Sequence, residues 1–242
     1  MAIKKGHYNE QFGFTNGEGR RVVAHMAYDY DYLVDYHPKR DGNNPLFDYN
    51  SQLILDFKNG YPDAIEHFAD LIDKDFNPCW NGCYCVAVPS SNPANNYSPE
   101  QDLSEQNLSP YELLASYESK KTCVYDLIAR LVGKHSGLHN GSAVLIRVKR
   151  IVPKSKGGSR AVSVDLDSIE VNSKCGIDIS GKNILLIDDI ITTGNSIVAC
   201  KMILEKGGAK NVFVLCLGKT SRDPYVSNDS SVEVPFDEEV PF

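Results

Sequence analysis

The stretch Gly181-Lys-Asn-Ile-Leu-Leu-Ile-Asp-Asp-Ile-Ile-Thr-Thr-Gly-Asn-Ser196 decides how this chain is read. Ile184 to Ile187 are four consecutive apolar residues, the pattern of a strand buried on both faces, as in parallel sheets. The run ends at Asp188 and Asp189 and passes through Ile191, Thr192, Thr193, Gly194 and Asn195. It then enters a segment from Ser196 to Lys206 in which Ile197, Val198, Met202, Ile203 and Leu204 recur at helical spacing. Gly207 and Gly208 end that helix, and Val212 to Leu217 is a second apolar run. Strand, loop, helix and strand in this order predict an α/β fold with a parallel sheet and right-handed crossovers.

The same alternation continues upstream. Tyr84 to Val88 reads as a strand stopped by Pro89 and Ala143 to Val148 as another, with helices expected over Tyr111 to Tyr117 and Thr122 to Val132. Ser51 to Lys58 and Asp63 to Asp73 read as two short helices split by the turn Asn59-Gly60-Tyr61-Pro62. Residues 7–40 are aromatic-rich, and alternating Tyr28, Tyr30 and Tyr32 predict β structure with one exposed face. Such a row could stack nucleic-acid bases, but the intervening Asp29 and Asp31 repel phosphate and favour a β surface or lid. Three regions result: a Tyr-rich element over 1–50, an α/β core over 51–220, and an acidic tail over 221–242 that its Ser/Asp/Pro content predicts to be disordered.

Composition narrows the classes. The 242 residues are 42% hydrophobic and 24% charged, which excludes a collagen, a coiled coil or a chain disordered throughout. No apolar run reaches the roughly 20 residues of a membrane helix, and Met1 to Glu10 lacks a signal-peptide core, so a cytoplasmic protein without membrane association is expected. Seven cysteines, an odd number set largely in apolar segments, suit reduced thiols better than disulfides. The net charge of -7 is concentrated after Arg222, where six acids stand without a base and leave 26 acids against 25 bases before them. The body is therefore near neutral and predicts no broad nucleic-acid surface, leaving only a local basic cluster for direct contact.

The chemistry lies in residues 188–196. In open α/β sheets the ligand crevice lies at the strand ends, and a loop feeding a helix presents free N–H groups there. Paired carboxylates can accept from a vicinal diol or hold a divalent cation, while the Thr-Thr-Gly-Asn-Ser loop offers hydroxyls and amides to a phosphate. The spacing suits a ribose 5-phosphate group. A strand ending in acids also occurs in P-loop ATPases and phosphatases, but the Gly-rich Lys-Ser/Thr loop of the former and the strand-end Asp-x-Asp of the latter are missing.

Ile184 to Ser196 resembles the 13-residue phosphoribosyl-pyrophosphate (PRPP) signature of type I phosphoribosyltransferases: four apolar residues, two acids, two apolar residues, Thr-Thr-Gly, any residue, then Thr or Ser. Within that superfamily the chain is similar to the competence-protein ComF-like branch over roughly residues 50–220, through Leu55-Asp-Phe-Lys-Asn-Gly60 and Val86-Ala-Val-Pro-Ser90. The resemblance implies a central parallel sheet flanked by helices, with the N-terminal β-rich element as a hood. It implies that Asp188 and Asp189 bind the ribose hydroxyls, that Ile191 to Ser196 (Thr192, Thr193, Gly194 and Asn195 between them) bind the 5′-phosphate, and that Ser90, Ser91 and Asn92 form a pyrophosphate loop. It further implies Mg²⁺ as cofactor, held through substrate oxygens rather than by direct protein ligation, and a basic hood loop in which Lys154, Lys156 and Arg160 neutralise the leaving pyrophosphate. Where ComF-like chains carry a basic element after the first strand, this one reads Asn92-Pro-Ala-Asn-Asn96, and residues 1–78 hold no cysteine for that branch's zinc module.

Cys79, Cys83 and Cys85 could join His25, His37 or His67 around zinc, but without Cys-x-x-Cys pairs buried thiols are favoured; His135 and His139 would face together only on a helix, which Gly133, Gly137 and Gly141 oppose. The terminus Glu233-Val-Pro-Phe236, Asp237-Glu-Glu-Val240-Pro241-Phe242 resembles the acidic tip of bacterial single-stranded DNA-binding proteins, which implies docking to proteins that capture such tips. A plain solubilising tail is the alternative. Two functions follow: a Mg²⁺- and PRPP-dependent transferase moving a phosphoribosyl group to or from a base, or a non-catalytic ComF-like sensor or accessory factor in DNA uptake or processing. A homodimer is left open.

Overall fold

The structure is a computed structural model describing residues 2–15, 20–39, 44–91, 123–152, 157–159 and 161–221. It begins with β1 (Lys4–Thr15) and β2 (Arg21–Tyr36), an antiparallel pair in register from Lys4 opposite Tyr32 to Thr15 opposite Arg21. Helices α1 (Tyr49–Lys58) and α2 (Pro62–Lys74) follow. Asp48 caps α1 by accepting the Ser51 N–H at 2.8 Å, and Pro62 starts α2 where its missing N–H costs nothing. Next come β3 (Tyr84–Ala87), α3 (Cys123–Lys134), β4 (His139–Asn140), β5 (Leu145–Arg147), α4 (Val162–Leu166) and β6 (Ile169–Val171). The described chain closes with β7 (Asn183–Ile191), α5 (Asn195–Lys206) and β8 (Asn211–Thr220).

Six strands form one sheet in the order β1-β2-β8-β7-β3-β4, parallel at every junction except β1 with β2. This is the helix-flanked, mostly parallel α/β sheet that the sequence predicts. Side chains alternate between its faces. Leu185 and Ile187 join Leu215 and Leu217 in a core shared with Ile54, Phe57, Phe68 and Leu127 of α1, α2 and α3. Ile184 and Leu186 join Val214 and Cys216 against Ile197, Val198 and Leu204 of α5. Both faces of β7 are thus covered, which is why Ile184 to Ile187 show no polar alternation; each such side chain contributes about 1.5–3 kcal/mol on burial.

Two features differ from the sequence-based expectation. Strand β7 does not stop at Asp188 but continues to Ile191, because β8 runs beside it to Thr220 and keeps the ladder paired (Asp188 with Cys216, Ile191 with Lys219). The run Ala143 to Val148 does not enter the main sheet; its β5 pairs antiparallel with β6 in a separate two-stranded sheet. The Tyr-rich segment forms the β structure expected and enters the main sheet through β2, which pairs parallel with β8 from Asp31 to Tyr36. The helix expected over Tyr111 to Tyr117 and the acidic tail lie outside the described residues. Among the described residues, no helix is long and apolar enough to cross a membrane.

Candidate functional site

Strand periodicity separates the two aspartates. Asp188 lies on the α5 face, opposite Cys216 in register and close enough to Tyr28 and Cys216 to raise the pKa of both, behind the larger effect of their burial. Asp189 lies on the α1 face, where its Oδ2 meets Lys58 Nζ at 2.9 Å. Each acid also accepts the next backbone N–H: Asp188 Oδ1 that of Asp189 at 2.9 Å, and Asp189 Oδ1 that of Ile190 at 2.6 Å. These bonds fix the carboxylates at the sheet tip. Strand alternation thus places one acid on each side of the strand at its tip.

Lys58 reaches this place because it is the last residue of α1, which stops at once: Asn59 and Gly60 donate to Leu55 and Phe57 carbonyls, and Gly60 takes a φ of 81°. Burial works against charge on its amine, but the bonded Asp189 and nearby Asp188 outweigh it and hold its pKa above the usual value. Tyr36 stands beside them, its pKa raised by burial and Asp189 against the opposing pull of Lys58. In the sequence Lys58 reads as a helix end and part of a family element, without a site role; a basic residue closing a helix before Gly was the available signal.

Beyond β7 the chain turns into α5. Gly194 is the N-cap with φ 74° and has no side chain of its own to cap the first turn. A Cβ at Gly194 would lie 2.8 Å from Tyr8 Cδ2 and 2.9 Å from Tyr28 Oη, so both backbone conformation and packing demand glycine. The Tyr8 hydroxyl donates to Asn195 Oδ1 at 3.3 Å and that of Tyr28 to the Gly194 carbonyl at 3.4 Å, with the two rings stacked at 4.9 Å. Thr192 Oγ1 meets Thr220 Oγ1 at 2.8 Å. The tyrosine row is therefore the wall of the loop, and a cleft of about 480 Å³ opens there between Tyr8, Tyr30, Asp35, Thr192, Thr193 and Lys219.

The third component follows β3. Val88 donates to the Ile187 carbonyl at 3.0 Å, so Pro89, Ser90 and Ser91 leave the sheet next to Asp188. Their carbonyls are tied down. Arg147, 3% exposed, donates from Nε to the Ser90 carbonyl at 2.5 Å and from Nη2 to Pro89 O at 3.4 Å and Asp165 Oδ1 at 2.9 Å, and Nη1 bonds Ser168 Oγ. Ile151 N–H donates to the Ser91 carbonyl at 3.1 Å. Sequence reasoning passed over Arg147; a lone arginine in an apolar strand, which must find partners if buried, was the signal.

The structure thus gathers Ser90, Ser91, Asp188, Asp189 and the segment Ile191 to Ser196 at one end of the sheet. Asn92, Lys154, Lys156, Arg160, Val240, Pro241 and Phe242 lie outside the described residues. Cys83 and Cys85 share one buried face, with burial pushing their thiols up to about 11 and about 12. His135 is taken up by Asp73 at 3.0 Å and by stacking on Phe76, and His139 by the Tyr84 ring. Among the described residues no group of three or more His, Cys, Asp or Glu is placed to hold a metal ion.

A strand tip carrying two acids, a helix start behind a left-handed glycine, and a pinned loop on the neighbouring strand thus meet at one end of a parallel α/β sheet, where ligands of open α/β folds commonly bind. Consistent with this, the family described as phosphoribosyl transferase domain matches residues 124–239. The chain is 30% identical to a uracil phosphoribosyltransferase of Brevibacillus brevis over 112 residues, 45% of this chain and 54% of the relative. It is 53% identical over 38 residues to a ribose-phosphate pyrophosphokinase of Pyrococcus furiosus, 16% of this chain and 14% of that one. A hypoxanthine phosphoribosyltransferase structure from Staphylococcus aureus overlays with a TM-score of 0.33 at 12% identity, covering 69% of this chain and 64% of that chain. The match thus spans about half the length of the uracil enzyme and far less of the pyrophosphokinase. The phosphoribosyl transferase domain match covers a little under half of the chain.

Proposed function

We propose that this protein binds PRPP or a nucleotide through its 5′-phosphate and transfers a phosphoribosyl group to or from a base. The observation that carries the reading is Gly194: its left-handed backbone starts α5 directly beyond Asp188 and Asp189, and as a glycine it brings no side chain of its own over the first turn. In this reading the N–H groups of residues 192–196 hold the 5′-phosphate and the helix dipole favours its charge. Asp188 and Asp189 accept from the ribose hydroxyls, and the Ser90–Ser91 loop faces the pyrophosphate. Lys154 and Arg160 would neutralise that leaving group, acting by charge stabilisation rather than by covalent chemistry.

Mg²⁺ fits the donor set in one way only. Among the described residues no group of three or more acids, histidines or cysteines forms a cage, which suits an ion held mainly through substrate phosphate oxygens. When bound, the ion would neutralise pyrophosphate and ribose oxygens. Asp189 would exchange its bond to Lys58 for a ribose hydroxyl, leaving the ammonium beside the anionic ligand.

Calorimetric titration with PRPP and Mg²⁺, then a screen of bases for pyrophosphate release, tests the reading; absence of PRPP binding overturns it. Asp188→Asn with Asp189→Asn should abolish the binding. A second reading is favoured by the Lys58–Asp189 pair, which already occupies one of the two acids: a ComF-like sensor or accessory protein that binds the ligand without turnover and docks to partners of single-stranded DNA-binding proteins through Val240, Pro241 and Phe242. Binding without pyrophosphate release, together with partner capture lost on deleting Asp237 to Phe242, would select it.

A further inference from the structure

We propose that Arg147 is the positioning residue that shapes residues 89–91 into an anion cradle, orienting from beneath the backbone of a loop that has no basic side chain of its own. The inference rests on the phosphoribosyl reading of the site and deepens it. The segment from Ser90 to Asn96 has no basic residue, yet it emerges beside Asp188 where a pyrophosphate would lie. The buried guanidinium takes the Pro89 and Ser90 carbonyls from one side and is anchored on the other by Asp165 and Ser168, which lie in or next to α4. Asp165 is fully buried.

Peptide geometry turns this clamp into an orientation. In a trans peptide the carbonyl and the N–H of the following residue point in opposite directions, and the described chain has no cis bond. Drawing the Pro89 and Ser90 oxygens onto Arg147 therefore turns the N–H groups of Ser90 and Ser91 to the side away from it. Successive N–H groups on one side of a loop form an anion-binding concavity. The Ile151 N–H, bonded to the Ser91 carbonyl, holds the next peptide as well. The planar fork of arginine is needed because four acceptors in different directions must be met at once, which an ammonium on a flexible stem does not do.

The test compares wild type, Arg147→Lys and Arg147→Met by calorimetry with three probes: ribose 5-phosphate, inorganic pyrophosphate with Mg²⁺, and PRPP with Mg²⁺. Arg147→Lys keeps a charge for Asp165 and guards against misfolding of the methionine variant. Expected is a loss of tenfold or more in pyrophosphate and PRPP affinity, with ribose 5-phosphate affinity within about twofold of wild type. Equal losses for all three probes would mean that Arg147 only supports the fold, and unchanged affinities would mean that it does not shape the loop; either overturns the proposal. If wild type binds ribose 5-phosphate but neither pyrophosphate nor PRPP, the phosphoribosyl reading itself fails, a result distinct from both.

Discussion

Lys58 Nζ stands 2.9 Å from Asp189 Oδ2, so a helix end on one face of the sheet is bonded to the tip of its central strand. Both side chains keep partial contact with water, and a pair of this kind contributes at most about 1 kcal/mol. Lys58→Met should therefore lower stability slightly in urea melts at neutral pH. Because the folded-state pKa is raised above 10.5, the contribution is complete below that pH and fades as pH climbs through the higher folded value. The difference between variant and wild type should vanish in strong alkali; a constant difference would refute the assignment.

Gly194→Ala should cost more. The residue must hold φ 74° with a Cβ inside 3.0 Å of both Tyr8 and Tyr28, two penalties that together amount to roughly 2–4 kcal/mol. Thermal melting should show the loss, and ribose 5-phosphate binding should fall with it. A melting temperature equal to that of wild type would show that the hairpin does not press on the loop.

Removing only the hydroxyls asks less of the same contact. Tyr8→Phe and Tyr28→Phe should each cost about 1 kcal/mol or less, since both bonds are long and the stacked rings remain. Chemical denaturation of each single variant and of the double variant checks this. A double loss above about 3 kcal/mol would mean that the hydroxyls carry the hairpin's attachment.

Thiol reactivity should follow burial. Cys79 is exposed, whereas Cys83, Cys85, Cys200 and Cys216 are buried, so iodoacetamide at pH 8 should alkylate Cys79 well before those four, read by mass spectrometry of the folded protein. Burial raises Cys85 from 9.0 to about 12, so the unfolded chain ionises first. Its contribution to stability is intact below pH 9 and declines as pH rises toward 12. Rapid alkylation of Cys85 at pH 8 would contradict the packing of β3.

The unit β7–α5–β8 was legible because each boundary has a local cause: four apolar residues at the strand core, helical spacing after Ser196, and Gly207-Gly208 at the helix end. Helices α1 and α2 were legible for the same reason, being separated by Gly60 and Pro62. What escaped depends on partners distant in sequence. Ile190 and Ile191 are strand residues only because Gly218 and Lys219 run alongside, and β5 leaves the main sheet only because Ile169 to Val171 offers it a mate. Within the site, the loop and acids were visible as a motif, whereas the pairing of Lys58 with Asp189 and the clamp of Arg147 depend on α1 and β5 being brought to the sheet tip from distant segments. The opposite orientations of Asp188 and Asp189 follow from strand pleating, once the strand is known to continue through them.

The pairing of β2 with β8 sets an order on biosynthesis. Tyr8 and Tyr28 can close over the Gly194 turn as soon as α5 exists, but Asp31 to Tyr36 must wait for Leu215 to Thr220 to emerge from the ribosome. Until then the early ribbon carries an open edge, a long-range closure that slows folding and exposes an adhesive strand to neighbouring nascent chains.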